Sequence, residues 1–192
     1  MNGLNFNEVN EPVKFNKVYM DPGIHKVKVI EVTSRLAGES PVLDITVQDN
    51  AGQICKHGYF LNTEIKEGKK TSAFLISAQQ ILQIIQATNN CDHATAKTKL
   101  GNITTPEELA TKLSTITVGK EFAIRLTGKW YNPNDASKRS SIISVFGNYE
   151  FATTLANIGK LKPFDPAKDV EGVNAGTVYT GNGITETTKS DW

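Results

Sequence analysis

The chain predicts a mainly β fold, α+β by content: a five-stranded Greek-key barrel with one helix between its third and fourth strands. The order of elements carries this. Three strand-like runs come first, Gly23–Val32, Val42–Gln48 and Gln53–Asn62. An apolar stretch of helical character follows at Ser72–Ala87, and two more strand-like runs, Glu121–Tyr131 and Ser140–Phe151, complete the set. A length of 192 residues suits one domain with appendages. The division expected is an arm over 1–20, a barrel domain over 21–159 with an insertion at 88–118, and a tail over 160–192.

Asp21-Pro22-Gly23 is a turn signal that opens the first strand, where Val27 and Val29 alternate with Lys26 and Lys28. The phase slips at Ile30–Val32, a place for a bulge that would let the strand curl. Ser34–Pro41 reads as a Gly-containing loop carrying Arg35. In the second strand Leu43, Ile45 and Val47 alternate with Asp44 and Thr46, so the first set points inward and the second outward. Asn50-Ala51-Gly52 supplies the tight turn to the third strand, which carries Lys56, His57, Tyr59 and Phe60.

In the helix, Phe74, Ala78, Ile81 and Ile85 share a face that Leu75 and Leu82 widen, and Ser72 is placed to cap it. Thr105-Pro106-Glu107-Glu108 matches a capping box with Pro at the first helical position, so the insertion is expected to hold a short helix through Leu113. In the fourth strand Phe122, Ile124 and Leu126 point inward, and Arg125, Thr127 and Lys129 outward. A polar hairpin loop over 132–140 leads to the fifth. Beyond Lys160 the composition turns to Pro, Gly, Thr and Asn, which cannot bury enough surface to offset ordering entropy, so disorder is expected there. Strand, strand, strand, helix, strand, strand is the order of the OB-fold, a barrel that binds oligonucleotides and oligosaccharides.

Composition removes several function classes. A net charge of +1 lacks the overall basic signature of duplex DNA binders. Cys55 and Cys91 have no close-spaced partner, and the start of the chain lacks the layout of a secretory signal, so a reduced, cytoplasmic setting is expected. The apolar stretch Ala73–Ile85 is broken by Gln79, Gln80 and Gln83 and is too short for a bilayer. No cofactor is implied. Cys91-Asp92-His93, with His25 and His57 elsewhere, lacks the grouped spacing of a metal site. No nucleophile elbow or phosphate-binding loop occurs, and the capping box accounts for Glu107 and Glu108. Nothing here reads as an enzyme.

A single-strand binder stacks bases on aromatic rings and tracks phosphates with basic side chains. The candidates on strand faces are Lys26, Lys28, Lys56, Tyr59, Arg125, Lys129, Trp130 and Tyr131. The loops add Arg35, Lys138 and Arg139. Lys129-Trp130-Tyr131 at a strand end, across a loop from Lys138-Arg139, is the densest grouping.

The runs "GIHKVKVIEV" and "LDITVQDNAGQICKHGYF", the helix after them and the ending Ser190-Asp191-Trp192 together resemble the single-stranded DNA-binding proteins, in their divergent phage-encoded versions more than the bacterial ones. That family joins an OB-fold to a disordered tail with an acidic, hydrophobic-ended tip, which docks on proteins of replication and repair. Here the tip is Glu186 through Asp191 and Trp192. It departs from the bacterial pattern in lacking a run of aspartates and a Pro before the last residue. The resemblance implies a sequence-tolerant single-stranded DNA binder that coats and protects DNA in phage replication or recombination, in the host cytoplasm. Asp191 and Trp192 would be its partner-binding residues, and homo-oligomerisation is left open. The alternative is a virion assembly protein that uses a small barrel as a protein-interaction module.

Overall fold

The computed structural model describes residues 19–130, 142–147, 150–170, 177–180 and 183–186. Its centre is a six-stranded antiparallel sheet with helices packed on it. β1 (Gly23–Ala37), β2 (Ser40–Asp49), β3 (Ile54–Phe60), β4 (Glu121–Trp130) and β5 (Ile142–Phe146) lie in the spatial order β3-β2-β1-β4-β5, and β6 (Ala152–Thr153) also pairs with β4. All the pairings are antiparallel.

β1 is longer than its sequence suggests. The segment 34–37, expected in a loop with Arg35, continues the strand, and Ala37 pairs with Ser40 across the two-residue turn Gly38-Glu39. Gly38 holds φ 63, a conformation glycine adopts without the Cβ clash that other residues meet. The register shift between Val29 and Glu31 confirms the expected bulge. Before the bulge β1 is clamped between β2 and β4. At the bulge Val29 bonds instead to the turn ahead of β4, donating to the Lys120 carbonyl and accepting from Gly119 N–H. The hairpin turn from β2 to β3 is also as expected. Asp49 accepts from the N–H groups of Ala51 and Gln53, and Gly52 has φ 82.

α1 (Ala73–Asn89) begins where Ser72 Oγ accepts from Leu75 N–H, and Ser77 Oγ donates to the Phe60 carbonyl at 2.8 Å. Its buried stripe runs Ser77, Ile81, Leu82, Ile84, Ile85 and Ala87. Phe74 and Leu75, expected in that stripe, are exposed. The insertion holds two helices, α2 (His93–Leu100) and α3 (Pro106–Thr117). The Thr105–Glu108 capping box is fully formed, and Leu109, Ala110 and Leu113 join the core. Burial of these with Val27, Val29, Leu43, Ile45, Phe122, Ile124 and Leu126 supplies most of the stabilisation, at roughly 1.5–3 kcal/mol for each large side chain.

Two expectations change toward the C-terminus. The fifth strand ends at Phe146 rather than Phe151. Gly147 donates to the Arg125 carbonyl, and Arg125 N–H donates to the Phe151 carbonyl, so the chain leaves β4 and returns to it as β6. The expected disorder beyond Lys160 does not hold for 161–170. A 3-10 helix (Leu155–Lys160) leads to α4 (Pro166–Asp169), which Asp165 caps. Leu161, Asp169 and Val170 are buried, and Val170 bridges to Gly128. Packed structure therefore continues past residue 159. A separate hairpin pairs β7 (Thr177–Thr180) with β8 (Gly183–Glu186).

Candidate nucleic-acid interface

Directly opposed residues of antiparallel strands point to the same side of the sheet, and residues two apart along a strand share a face. On the inner face the registers group Val32, Ile45 and His57, and likewise Leu43 and Tyr59. On the outer face they give three rows across β1, β2 and β3: Glu31, Thr46, Lys56; Thr33, Asp44, Gly58; and Arg35, Val42, Phe60. The middle strand is buried on both faces, since every residue from Val42 to Val47 is covered.

Asp44 is the centre of the outer face. Its side chain is 2% exposed, although its strand parity turns it away from the core. Arg35 Nε donates to Oδ2 at 2.6 Å and Nη2 to Oδ1 at 3.2 Å, while Lys56 Nζ lies 3.0 Å from Oδ2. Both cations remain about half exposed, so they form a lid whose underside faces Asp44 and whose upper side faces water. Burial of Asp44 opposes its ionised form. The hydrogen bonds and charges of Arg35 and Lys56 outweigh that penalty and hold the carboxyl below its ordinary range. Gly58 makes the approach possible, because a Cβ there would stand 2.9 Å from Asp44 Oδ1. One row away, Thr46 Oγ1 donates to Glu31 Oε2.

Phe60 is the exposed aromatic of this face, at 49%. It shares parity with Lys56 and sits in the same row as Arg35. Its neighbour Tyr59 is one of the expected aromatic site residues, and that assignment is corrected: Tyr59 is 1% exposed, within the core. Lys56 and Tyr59 are three residues apart in one strand and cannot share a face. Parity from Lys56 is the signal that selects Phe60. Tyr59 lies edge-on to His57, its phenol has no hydrogen-bond partner among the described residues, and burial raises its pKa well above the ordinary value.

Arg125 is likewise corrected. Its parity is outward, but residues 150–170 cover β4, and the guanidinium is buried against Asp169 in a charge contact without hydrogen-bond alignment. Lys26 and Lys28 are exposed on β1, at the end paired with β4, where Lys28 stands opposite Glu121. Seven residues separate Lys28 from Arg35, roughly 23 Å along an extended strand. Across the sheet, however, Lys28 pairs with Gln48 in the outer row next to that of Glu31, Thr46 and Lys56, so it stands on the same face as Lys56 although far from Arg35. Lys129 is exposed on β4. The Trp130 side chain, Tyr131, Lys138 and Arg139, and Asp191 and Trp192 of the tip lie outside the described residues.

Among the described residues no group of three or more His, Cys, Asp or Glu side chains is arranged to hold a metal ion, and no helix is long and apolar enough to cross a membrane. No protein-family model matches the chain, and no curated protein matches it.

Proposed function

We propose that the protein binds single-stranded DNA without catalysis, on an OB-type barrel whose outer β1-β2-β3 face receives the strand. The observation that carries this reading is the half-exposed Phe60 ring on the same face as Arg35 and Lys56, two cations propped by Asp44. An aromatic ring beside basic groups supplies the two contacts that a sequence-tolerant binder needs. Stacking contributes about 1–3 kcal/mol per base, and the cations contribute a salt-dependent attraction to phosphate. The connectivity supports the barrel. β1 pairs with both β2 and β4, the helix falls between β3 and β4, and the inner side chains of β3 and β5 meet where the His57 and Phe146 rings stack 5.0 Å apart. In this reading the protein coats DNA during phage replication or recombination, with Asp191 and Trp192 recruiting a partner protein.

Fluorescence anisotropy with labelled oligo-dT, and with a duplex of equal length, tests the assignment. Tighter binding to the single strand, weakening as salt rises, is the expected result. Equal affinity for duplex, or no binding at low salt, would remove it. A second reading, a barrel used for protein assembly, is favoured by Leu75 and Ile76, each half exposed on α1. A protein that self-associates or binds a coat component and ignores oligo-dT would select it.

A further inference from the structure

We infer that Asp44 is a positioning residue that turns Arg35 and Lys56 into one preformed subsite for a backbone phosphate, with the Phe60 ring beside it for the adjoining base. The inference rests on the proposed binding of single strands and says how that site is organised.

An acidic side chain on a nucleic-acid-binding face should repel the ligand. Asp44 is placed so that it does not present itself. It is buried beneath the two cations, so an approaching phosphate would meet Nη and Nζ before it met a carboxylate oxygen. Two of the five N–H groups of the guanidinium are spent on Asp44, which leaves three for a ligand. The bidentate grip of Nε and Nη2 fixes the plane of the guanidinium as well as its position. Long cationic side chains lose much rotamer freedom on binding, and a carboxylate that has already ordered them lowers that cost. With Asp44 counted against Arg35 and Lys56, the cluster keeps a net positive charge of one. Gly58 leaves bare backbone midway between Lys56 and Phe60 along β3, so no side chain of that strand stands between them on this face.

The test is oligo-dT affinity of Asp44→Asn across a range of salt concentrations, on the full chain. Simple electrostatics predicts tighter binding, because the variant gains one positive charge. Positioning predicts weaker binding, by about tenfold, and a shallower salt dependence. The log–log slope should fall by about 0.7 for each phosphate of the single strand that the variant no longer neutralises. In an Arg35→Gln/Lys56→Gln background, adding Asp44→Asn should then change nothing further. If Asp44→Asn binds as well as or better than the parent, the inference is overturned while the DNA-binding reading stands. If the parent protein ignores oligo-dT, both fall. Should the variant fold poorly, the parent protein still decides. Arg35 Nε–H should give one rigid, slowly exchanging NMR signal in the free protein and shift when oligo-dT is added. A mobile Arg35 side chain in the free protein would refute the inference.

Discussion

The imidazole of His57 in β3 lies nearly parallel to the phenyl ring of Phe146 in β5, with ring centres 5.0 Å apart, so the two end strands of the sheet meet through side chains. Phe146 stacks in turn on Phe151, and His57 is edge-on to Tyr59. Burial, helped by the charge of Lys129 and opposed by Asp44, lowers the His57 pKa from 6.5 to about 4.

Stability should therefore fall in mild acid. The unfolded chain takes up a proton at His57 near pH 6.5 and the folded one near 4, so the stabilisation is complete above pH 6.5 and declines as pH falls toward 4. The decline attributable to this group is about 3 kcal/mol. Urea denaturation at pH 7, 5.5 and 4.5 measures it, and His57→Phe should flatten the profile across that window.

Phe60→Ala should weaken oligo-dT binding by about 1–3 kcal/mol and leave the thermal melt little changed, since the ring is half exposed. Tyr59→Ala should do the reverse in emphasis, with a loss of about 3–5 kcal/mol in stability from the buried cavity. Unchanged binding in Phe60→Ala would remove the ring from the site.

At Gly58 an added methyl would sit 2.9 Å from Asp44 Oδ1 and 3.1 Å from Val42 Cγ1. Gly58→Ala is expected to cost about 1–3 kcal/mol by overpacking and to loosen the Asp44 clamp. Parallel chemical denaturation and DNA titration of the one variant would register both effects.

The buried contact between Arg125 and Asp169 fastens the C-terminal segment to β4. Asp169→Asn leaves Arg125 charged and buried, with an expected loss of about 3–5 kcal/mol. The double replacement Arg125→Met/Asp169→Leu should restore most of it. Ending the chain at Lys160 removes Leu161, Asp169 and Val170 together, so the melting temperature should drop. A melt unaffected by that truncation would show that the segment adds nothing.

By itself the sequence determined the features that depend on near neighbours. The order of elements, the slip at Ile30–Val32, the Asn50-Ala51-Gly52 turn, the Ser72 cap and the Thr105–Glu108 capping box are each set by a few adjacent residues, and each appears in the structure as read. So do the inward sets Leu43, Ile45, Val47 and Phe122, Ile124, Leu126, because alternation with period two leaves one choice of face. β3 was ambiguous. Cys55, His57 and Tyr59 on one face and Lys56, Gly58 and Phe60 on the other mix polar and apolar character, so hydrophobic pattern does not select the inward set. Only pairing with the fully buried β2 puts Tyr59 in the core and Phe60 outside. Tertiary structure also decided the fate of three charges that strand parity turns outward. Arg125 is covered by Asp169, a residue of a segment distant in sequence, and Asp44 is covered by Arg35 and Lys56 from its two flanking strands. Lys56 stays about half open to solvent, because none of the described residues closes over it. Parity says which way a side chain points, whereas burial depends on what the rest of the chain lays over it, and a charge is buried only where an opposite charge arrives with the cover.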